Sequence, residues 1–533
     1  MGFKKSRLKW VVAALASCLA VVFITTESRA GKAEIILAVG GERPEGYDPT
    51  LGWGDHGNPL FQSTLLKRDE NLEIVPDLAV EWTLSQDRLT WTIRIRDDVL
   101  FTDGSPLTAE DVAYTFNTAA ASGGILDLSY VDRAEALDKT TVSIRLKRPD
   151  ITFFHYFVTL GIVPRRLHTA DYRRNPVGSG PYKMVRWDEG QQMILEINDR
   201  YYGPRPAFKR LVFLFTEPDA GLAAARAGKV DVLLVPSSLA RQNIAGMTLH
   251  AIPSVDNRGL MFPVVPDAGK RTPRGLAIGN DVTADLAIRR AVNHAIDRKA
   301  LVEGVLEGFG SPAFGVVDGL PWDNPDIRFQ DGDLKKAAQI LEAGGWVDSD
   351  GDGVREKNGL KAEFVVVYDA KDSLRQGLAS AAADMVRPVG IKIVPRGEGW
   401  DRIRDELCHS HVILFGYGDH SPLEMYKLYH SSPGPEPMYW NPGFYSNPVV
   451  DRYLDQAKAA PSFDAAIPFW RKAQWDGQTG FTTFGDAAWA WMVNLKHTYF
   501  VNKCLDVSHP QIEPHGGGWQ ITANITQWKW VCD

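Results

Sequence analysis

Alternation of apolar and polar residues along the chain predicts short β-strands in both halves. The clearest case is TWTIRIR at 90–96, where Trp91, Ile93 and Ile95 would face one side of a strand and Arg94 and Arg96 the other. Six further runs rich in β-branched and aromatic residues are also predicted to be strands. They are Ile35–Val39, Thr141–Leu146, Met193–Ile197, Leu211–Phe215, Glu363–Tyr368 and Val412–Phe415.

Apolar residues at helical spacing separate these strands. The predicted helices are Ala109–Ala119, Ala284–Gly304, Leu334–Ala343, Ser373–Val386 and Asn447–Ala459. The first would begin at Thr108, because Asp111 three residues later completes a capping-box pattern. Strands alternating with helices in both halves predict an α/β fold with open mixed sheets, and not a sandwich or a helix bundle.

The first thirty residues have the composition of a signal peptide. A basic head precedes an apolar run over Trp10–Thr25, and Ser28 and Ala30 supply small residues for cleavage. The run is shorter than the ~20 residues of a membrane span. We therefore expect export to the periplasm and a mature chain beginning near Gly31. A lipid anchor at Cys18 is the less favoured alternative, because few apolar residues precede it.

Charge and cysteine content narrow the class of protein. The net charge is −7 at pH 7 even with the basic leader, so we expect no nucleic-acid partner. Three cysteines follow the leader, at 408, 504 and 532. An odd number in an oxidising compartment allows one disulfide and one free thiol. Cys504 and Cys532 are the first pair to test, although sequence alone cannot pair them.

Several ordered segments resemble a known family. They are RLTWTIRIRDDV at 88–99, FTDGSPLTAEDVAYTF at 101–116, PVGSGPYKM at 176–184, AGKVDVL at 227–233, AIRRAVNHAIDRKALV at 287–302, DLKKAAQILEAGGW at 333–346 and LASAAADMVRPVGIKI at 378–393. The chain is similar here to the peptide- and nickel-binding solute receptors of ABC importers, extracellular solute-binding family 5. YDPTLGWGDHGNPLFQSTL, SVDNRG and AQWDG resemble the nickel-binding branch most.

The resemblance implies the two-lobed periplasmic binding protein fold of the class II type, in which hinge-linked lobes close on a solute. Lobe I would comprise 31–255 plus 493–533, with an inserted subdomain, and lobe II 256–492. Such a receptor is not an enzyme, needs no cofactor, is expected to be a monomer and hands its solute to ABC permease subunits. The chain has no G-x-S-x-G or HExxH motif that would indicate a hydrolase.

Loops that leave strand ends at the lobe interface are the predicted ligand contacts. The candidates are Trp53, His56, Arg258, Trp400, Tyr417, His420 and His497. The three histidines suit nickel or a nickel chelate, and the aromatic rings suit its organic part. Arg258 would pair with a carboxylate or form a hinge salt bridge. A nickel chelate is favoured; a short peptide, with Asp55 or Asp419 for its amino terminus, and a chemosensory receptor remain open.

One acidic segment resembles a calcium loop. Asp348, Asp350 and Asp352 occupy its first, third and fifth positions, and Gly353 the sixth. The twelfth position, where a bidentate glutamate belongs, is Gly359. A polar surface turn is therefore favoured over structural calcium. CHSH at 408–411 and HGGGW at 515–519 lack the partner residues of a metal cluster and a phosphate loop.

Overall fold

The structure is a computed structural model. It describes residues 32–532 except 44, 58–59, 124–125, 433–439 and 517–518. The predicted signal peptide and Cys18 lie outside the described residues. No helix within the described ranges combines the length and the apolar content that crossing a membrane requires.

Strands and helices alternate along the whole described chain. The strands are β1 Glu34–Ala38, β2 Leu66–Arg68, β3 Ile74–Pro76, β4 Ala79–Leu84, β5 Thr90–Ile95, β6 Val131–Ala136, β7 Thr141–Leu146, β8 Tyr182–Asp188, β9 Gln192–Ile197, β10 Arg210–Leu214, β11 Val232–Val235, β12 Met247–Met261, β13 Gly310–Pro312, β14 Glu356–Lys357, β15 Leu360–Lys361, β16 Glu363–Asp369, β17 Lys392–Glu398, β18 Val412–Phe415, β19 Trp489–Asn502, β20 Leu505–Asp506 and β21 Lys529–Trp530.

The α-helices are α1 Ala109–Ser122, α2 Tyr156–Thr159, α3 Pro218–Arg226, α4 Leu286–Ala295, α5 Arg298–Gly304, α6 Leu334–Ala343, α7 Ser373–Val386, α8 Trp400–Arg402, α9 Leu423–Tyr429, α10 Pro448–Lys458 and α11 Phe463–Gln474. A π-helical turn, Ile403–Leu407, continues α8. The 3-10 segments are Pro49–Leu51, Ile151–His155, Ser237–Leu239, Pro325–Ile327, Arg387–Val389 and Trp519–Gln527.

An 11-stranded mixed sheet runs through the molecule in the order β17-β16-β18-β12-β19-β11-β1-β10-β9-β8, with β13 beside β19. Its central pair is β12 and β19, which run antiparallel from Met247 opposite Asn502 to Met261 opposite Trp489. Parallel pairs lie on both sides: β16 with β17 and β18, and β1 with β10 and β11. The α/β fold with open mixed sheets is therefore confirmed.

The two strands of the central pair contain both of the predicted crossings between the lobes. The predicted lobe boundaries at 255/256 and 492/493 fall within β12 and β19. The register of this pair shifts between Pro253 and Asn257 and again between Arg258 and Gly259. Such irregularities bend a strand and re-aim its side chains. Asp256 and Arg258 lie at these irregularities, and both are buried.

A separate four-stranded sheet, in the order β4-β5-β7-β6, forms with α1 in the first half of the chain. In β5 the alternation acts as predicted, because Trp91, Ile93 and Ile95 are buried whereas Arg94 is exposed. The Asp111 carboxylate accepts a hydrogen bond of 2.9 Å from the Thr108 N–H at the start of α1. The charged residues of this region thus have structural roles.

The predicted single helix over 284–304 is wrong, because the chain forms two helices there, α4 and α5. Ile296 is extended at the break, with φ −69° and ψ 122°. The Asp297 carboxylate then caps α5 by accepting from the Ala300 N–H at 2.9 Å. An aspartate favours a helix start over a helix interior, and its local bond outweighs the continuous apolar spacing.

The four-stranded sheet and the segment that follows β7 along the chain contact the second half of the chain. Phe154 packs against Phe463, with ring centroids 6.5 Å apart. Lys458 pairs with the buried Asp150 at 3.3 Å. These contacts join the first and second halves of the chain.

A candidate ligand-binding cleft between the lobes

A cavity of ≈ 310 Å³, here the interlobe cavity, lies beside the central strand pair. Its lining includes Arg43, Asp55, His56 and His515 from one half of the fold, and Arg375, Trp400, Tyr417, Glu424, Lys427 and Trp440 from the other. Several of these residues follow the carboxyl ends of β1, β16, β17 and β18. Ligands of open α/β sheets bind in this position.

Aromatic side chains form the wall that the second half contributes. Trp400 begins α8 just after β17, and its ring meets Phe415 edge-on with centroids 5.9 Å apart. Tyr417 follows β18 and packs edge-on against Trp489 at 5.8 Å. Gly418 has a φ of +144°, and its α-carbon lies against the Val255 carbonyl, where a β-carbon would collide. The loop therefore presents Tyr417 to the cavity at one fixed position.

Two imidazoles lie on the opposite wall. The rings of His56 and His515 are 5.8 Å apart between centroids. His515 Nδ1 lies 2.6 Å from Asp256 Oδ1. Burial lowers the pKa of His515 although Asp256 opposes that shift, and this direction favours the neutral ring. A carboxylate that holds one nitrogen of a neutral histidine orients the other nitrogen for a metal.

Charges of both signs line the cavity. Lys427 donates to Glu424 Oε1 at 2.7 Å, and Arg375 donates to Asp372 Oδ2 at 2.8 Å. Burial, reinforced by the nearby Arg258, lowers the pKa of Arg375 to about 10. The pKa of Asp55 is lowered because His56 and Arg43 outweigh its burial. Mixed charge of this kind is complementary to a dipolar solute such as an amino acid or its chelate.

A second cavity of ≈ 540 Å³, the hinge cavity, shares Arg375 and His515 with the first. Arg258 and His497 line it. Arg258 forms an ion pair with Asp256 and donates to the Asn257 carbonyl at 2.8 Å. The sequence left two roles open for Arg258, a hinge salt bridge or the binding of a ligand carboxylate. The structure shows a salt bridge, with Asp256.

His497 is the centre of a buried group here called the hinge network, which comprises Asp256, Arg258, His497 and Glu513. His497 Nδ1 lies 2.5 Å from Glu513 Oε2, and Nε2 lies 3.1 Å from Asp256 Oδ2. Burial opposes the charged ring, but the two carboxylates outweigh it and raise its pKa to about 9. A protonated ring donating to both carboxylates has no nitrogen left for a metal. His56 and His420 line one cavity and His497 lines another, so the structure does not bring all three predicted histidines together.

Two other predicted contacts lie away from the interlobe cavity. Trp53 is 6% exposed and packs edge-on against Tyr47 at 4.8 Å and Trp519 at 5.4 Å, within an aromatic core. His420 lies in a third, smaller cavity that His56 also lines. Burial, together with Arg68, lowers the pKa of His420 to about 3. The interlobe cavity therefore receives His56, Trp400 and Tyr417 from the predicted set.

The acidic loop at 348–356 gathers four carboxylates on the surface. Ligand atoms of Asp348, Asp350, Asp352 and Glu356 lie within 4.8 Å of one another, the only such group among the described residues. Lys361 Nζ donates to Asp350 at 3.1 Å and pairs with Asp352. The lysine supplies the positive charge that the carboxylates require, as expected for a polar surface turn. Calcium binding here stays a prediction.

A disulfide joins Cys504 to Cys532. Cys408 is buried outside the disulfide, and its thiol donates to the Arg404 carbonyl at 3.2 Å. The disulfide closes the C-terminal tail onto the end of β19. The tail carries Glu513 and His515 to the hinge network. Sequence reasoning missed His515 because its glycine-rich segment resembled a loop without function. Its partner Asp256 lies 259 residues away, and no local pattern indicates that contact.

Comparison with known proteins agrees with this architecture. The model of the bacterial extracellular solute-binding proteins, family 5, matches residues 73–484. Protein XP55 of Streptomyces lividans is 31% identical over 497 residues, which cover 90% of this chain and 86% of that protein. The oligopeptide-binding protein AppA of Bacillus subtilis is 25% identical over 423 residues, with 75% of each chain covered.

Among solved structures, NikZ from Campylobacter jejuni in complex with Ni(L-His) is 25% identical. It superposes with a TM-score of 0.77 over 93% of this chain and 99% of NikZ. The chain belongs to the bacterial extracellular solute-binding proteins of family 5.

Proposed function

We propose that this receptor captures a nickel chelate of a small amino-acid-like ligand in the interlobe cavity and passes it unaltered to an ABC permease. The observation that carries the proposal is the pair His56 and His515 facing the rings of Trp400 and Tyr417 across one cavity. Neutral imidazole is a good nickel ligand, and the aromatic faces would cover the organic part of the chelate.

The size and charge of the cavity support a small, dipolar solute. Its ≈ 310 Å³ lies at the lower end of the ~300–1,000 Å³ range of small-molecule sites. Asp55 and Arg375 give it both signs of charge. NikZ, which binds Ni(L-His), is similar over nearly its whole length.

A short peptide is the second candidate. Asp55 lines the cavity and would pair with an amino terminus, and AppA, a relative, binds oligopeptides. Asp419, the other candidate for that role, is buried 3.4 Å from His155 and is absent from the lining of the interlobe cavity. The proposal therefore ranks peptide below chelate.

The family and the basic leader support a periplasmic location, a monomeric receptor and a permease partner. The receptor would act by closure and not by chemical conversion of its solute. Arg258 and His497 would then hold the hinge rather than bind metal, and no resident cofactor is required.

Isothermal titration calorimetry of the mature, ligand-stripped protein tests the proposal. We expect binding of nickel with L-histidine, and weak or no binding of nickel alone or of mixed peptides. His515→Ala and His56→Ala should each weaken the chelate about tenfold, the effect of losing one metal contact. His509→Ala removes an exposed histidine and serves as the matched control. Binding of peptides only would reject the chelate.

A further inference from the structure

A third cavity of ≈ 110 Å³, the side cavity, lies next to the interlobe cavity. His56 lines both cavities and lies between them. The side cavity also receives Gln62 and Ser63, His155, Asp419 and His420, and residues of the C-terminal tail. The lining thus comes from the first half of the chain, from the segment after β18 and from the C-terminal tail.

The side cavity collects buried polar atoms that lack partners. Five side-chain atoms in its lining have no hydrogen-bond partner among the described residues: His56 Nδ1, Gln62 Oε1, Ser63 Oγ, His155 Nδ1 and His420 Nε2. Gln62, Ser63, His155 and His420 are each at most 5% exposed. Buried polar groups are normally bonded, and each exception costs free energy. Such a concentration in one cavity points to a bound polar group.

Charge decides which polar group fits. Lys67 lies 3.7 Å from Asp77, and Asp419 lies 3.4 Å from the His155 ring, so each of these carboxylates already has a partner. Arg68 donates to the backbone carbonyls of Leu72 and His420. The low pKa of His420 keeps its ring neutral. The lining thus balances two cations, Lys67 and Arg68, against two carboxylates, Asp77 and Asp419. This balance favours an uncharged group over a carboxylate or an ammonium.

The size of the side cavity and the donors and acceptors in its lining further restrict which chemical group it can hold. The volume of ≈ 110 Å³ corresponds to about three to four water molecules at ~30 Å³ each. A carboxamide arm has this size. Its NH₂ would donate to Gln62 Oε1, and its C=O would accept from the Ser63 hydroxyl or an imidazole N–H.

We propose that the side cavity is a specificity subsite for an uncharged carboxamide arm of the captured ligand, held by Gln62, Ser63 and His420. The proposal rests on the proposed function for the location of the ligand. It adds the chemical class of one substituent. A ligand that carries this arm binds more tightly than one with an apolar or a charged arm of equal size.

Two matched ligand series test the subsite by calorimetry of the mature protein. One series is nickel with L-asparagine, L-aspartate or L-leucine; the other is the dipeptides Gly-Asn, Gly-Asp and Gly-Leu. We expect the asparagine member of the binding series to be about tenfold tighter than the other two, since an unmatched buried group costs about 1–3 kcal/mol. Equal affinities, or a preference for leucine or aspartate, would overturn the subsite.

Two serine variants distinguish loss of the subsite from a general loss of structure. Ser63→Ala should reduce the asparagine preference about fivefold. Ser179→Ala should leave it unchanged, because Ser179 is equally buried with an unpartnered hydroxyl but does not line the cavity. If only dipeptides bind, the nickel proposal fails while the asparagine contrast still decides the subsite. If neither series binds, both proposals are rejected.

Discussion

The hinge network and the wall of the interlobe cavity use the same residue types for different purposes. In the hinge network both nitrogens of His497 are held by carboxylates, and the ring is charged. On the cavity wall, Asp256 holds only one nitrogen of His515, and the ring faces the ligand space. The difference shows that a histidine's role depends on how many carboxylates the fold places against it.

The largest effect should come from breaking the hinge network at Asp256. Asp256→Ala leaves Arg258 and His497 buried without their shared partner. Removing one member of a buried ion pair typically costs about 3–5 kcal/mol of the free energy of unfolding. Urea denaturation followed by circular dichroism measures the loss. Asp401→Ala, which breaks an exposed ion pair with Arg404, is the control. Equal losses of unfolding free energy in both variants would show that the hinge network stabilises the fold no more than a surface ion pair does.

The position of the C-terminal tail, which carries Glu513 and His515, should depend on the Cys504–Cys532 disulfide. The bond spans 28 residues, and closing a loop of that length stabilises a protein by about 3–4 kcal/mol. The double variant Cys504→Ser with Cys532→Ser should unfold at lower urea and bind the chelate more weakly. Unchanged stability and affinity would show that the tail is held by packing alone.

The raised pKa of His497 predicts loss of stability at alkaline pH. The folded pKa of about 9 lies above the ordinary value of 6.5. Its stabilisation is therefore complete below pH 6.5 and lost as the pH rises through 9, an effect of up to about 3 kcal/mol. Urea midpoints at pH 6.5 and 9.5 test this. His497→Gln should flatten the dependence; an equal slope in the variant would assign it to other groups.

Substitutions in the wall of the interlobe cavity should lower the ligand affinity and change the free energy of unfolding little. Trp400 is only half-buried against Phe415. Trp400→Ala should weaken the chelate about tenfold, since one aromatic contact is worth roughly 1 kcal/mol or more, while the unfolding midpoint moves little. Trp53→Ala gives the contrast, because its ring lies in the core. In Trp53→Ala the free energy of unfolding should fall more than the ligand affinity. The reverse result would place Trp53 at the ligand and Trp400 in the core.

Local patterns account for most of the fold. Alternation in β5 and apolar spacing in α6 and α7 placed these elements at the observed residues, because each side chain's burial follows from its own strand or helix. The break between α4 and α5 depended on one capping aspartate within a continuous apolar pattern, and prediction failed there.

The candidate site was predicted in part, for a related reason. Trp400 and Tyr417 follow strand ends, a position that favours ligand contact whatever the rest of the chain does. Trp53 follows a similar glycine-rich loop, yet Trp519 from the distant tail covers it. The pairing of Asp256 with His515, like that of His497 with Asp256, joins residues more than two hundred positions apart. Only the folded chain reveals such contacts.

Anomalous diffraction at the nickel edge, from crystals of the mature protein grown with nickel and L-histidine, tests the central claim most directly. We expect one strong nickel peak in the interlobe cavity, within bonding distance of His515 or His56 and covered by Trp400. A peak confined to the Asp348 loop, or a cleft filled by peptide without nickel, would contradict it.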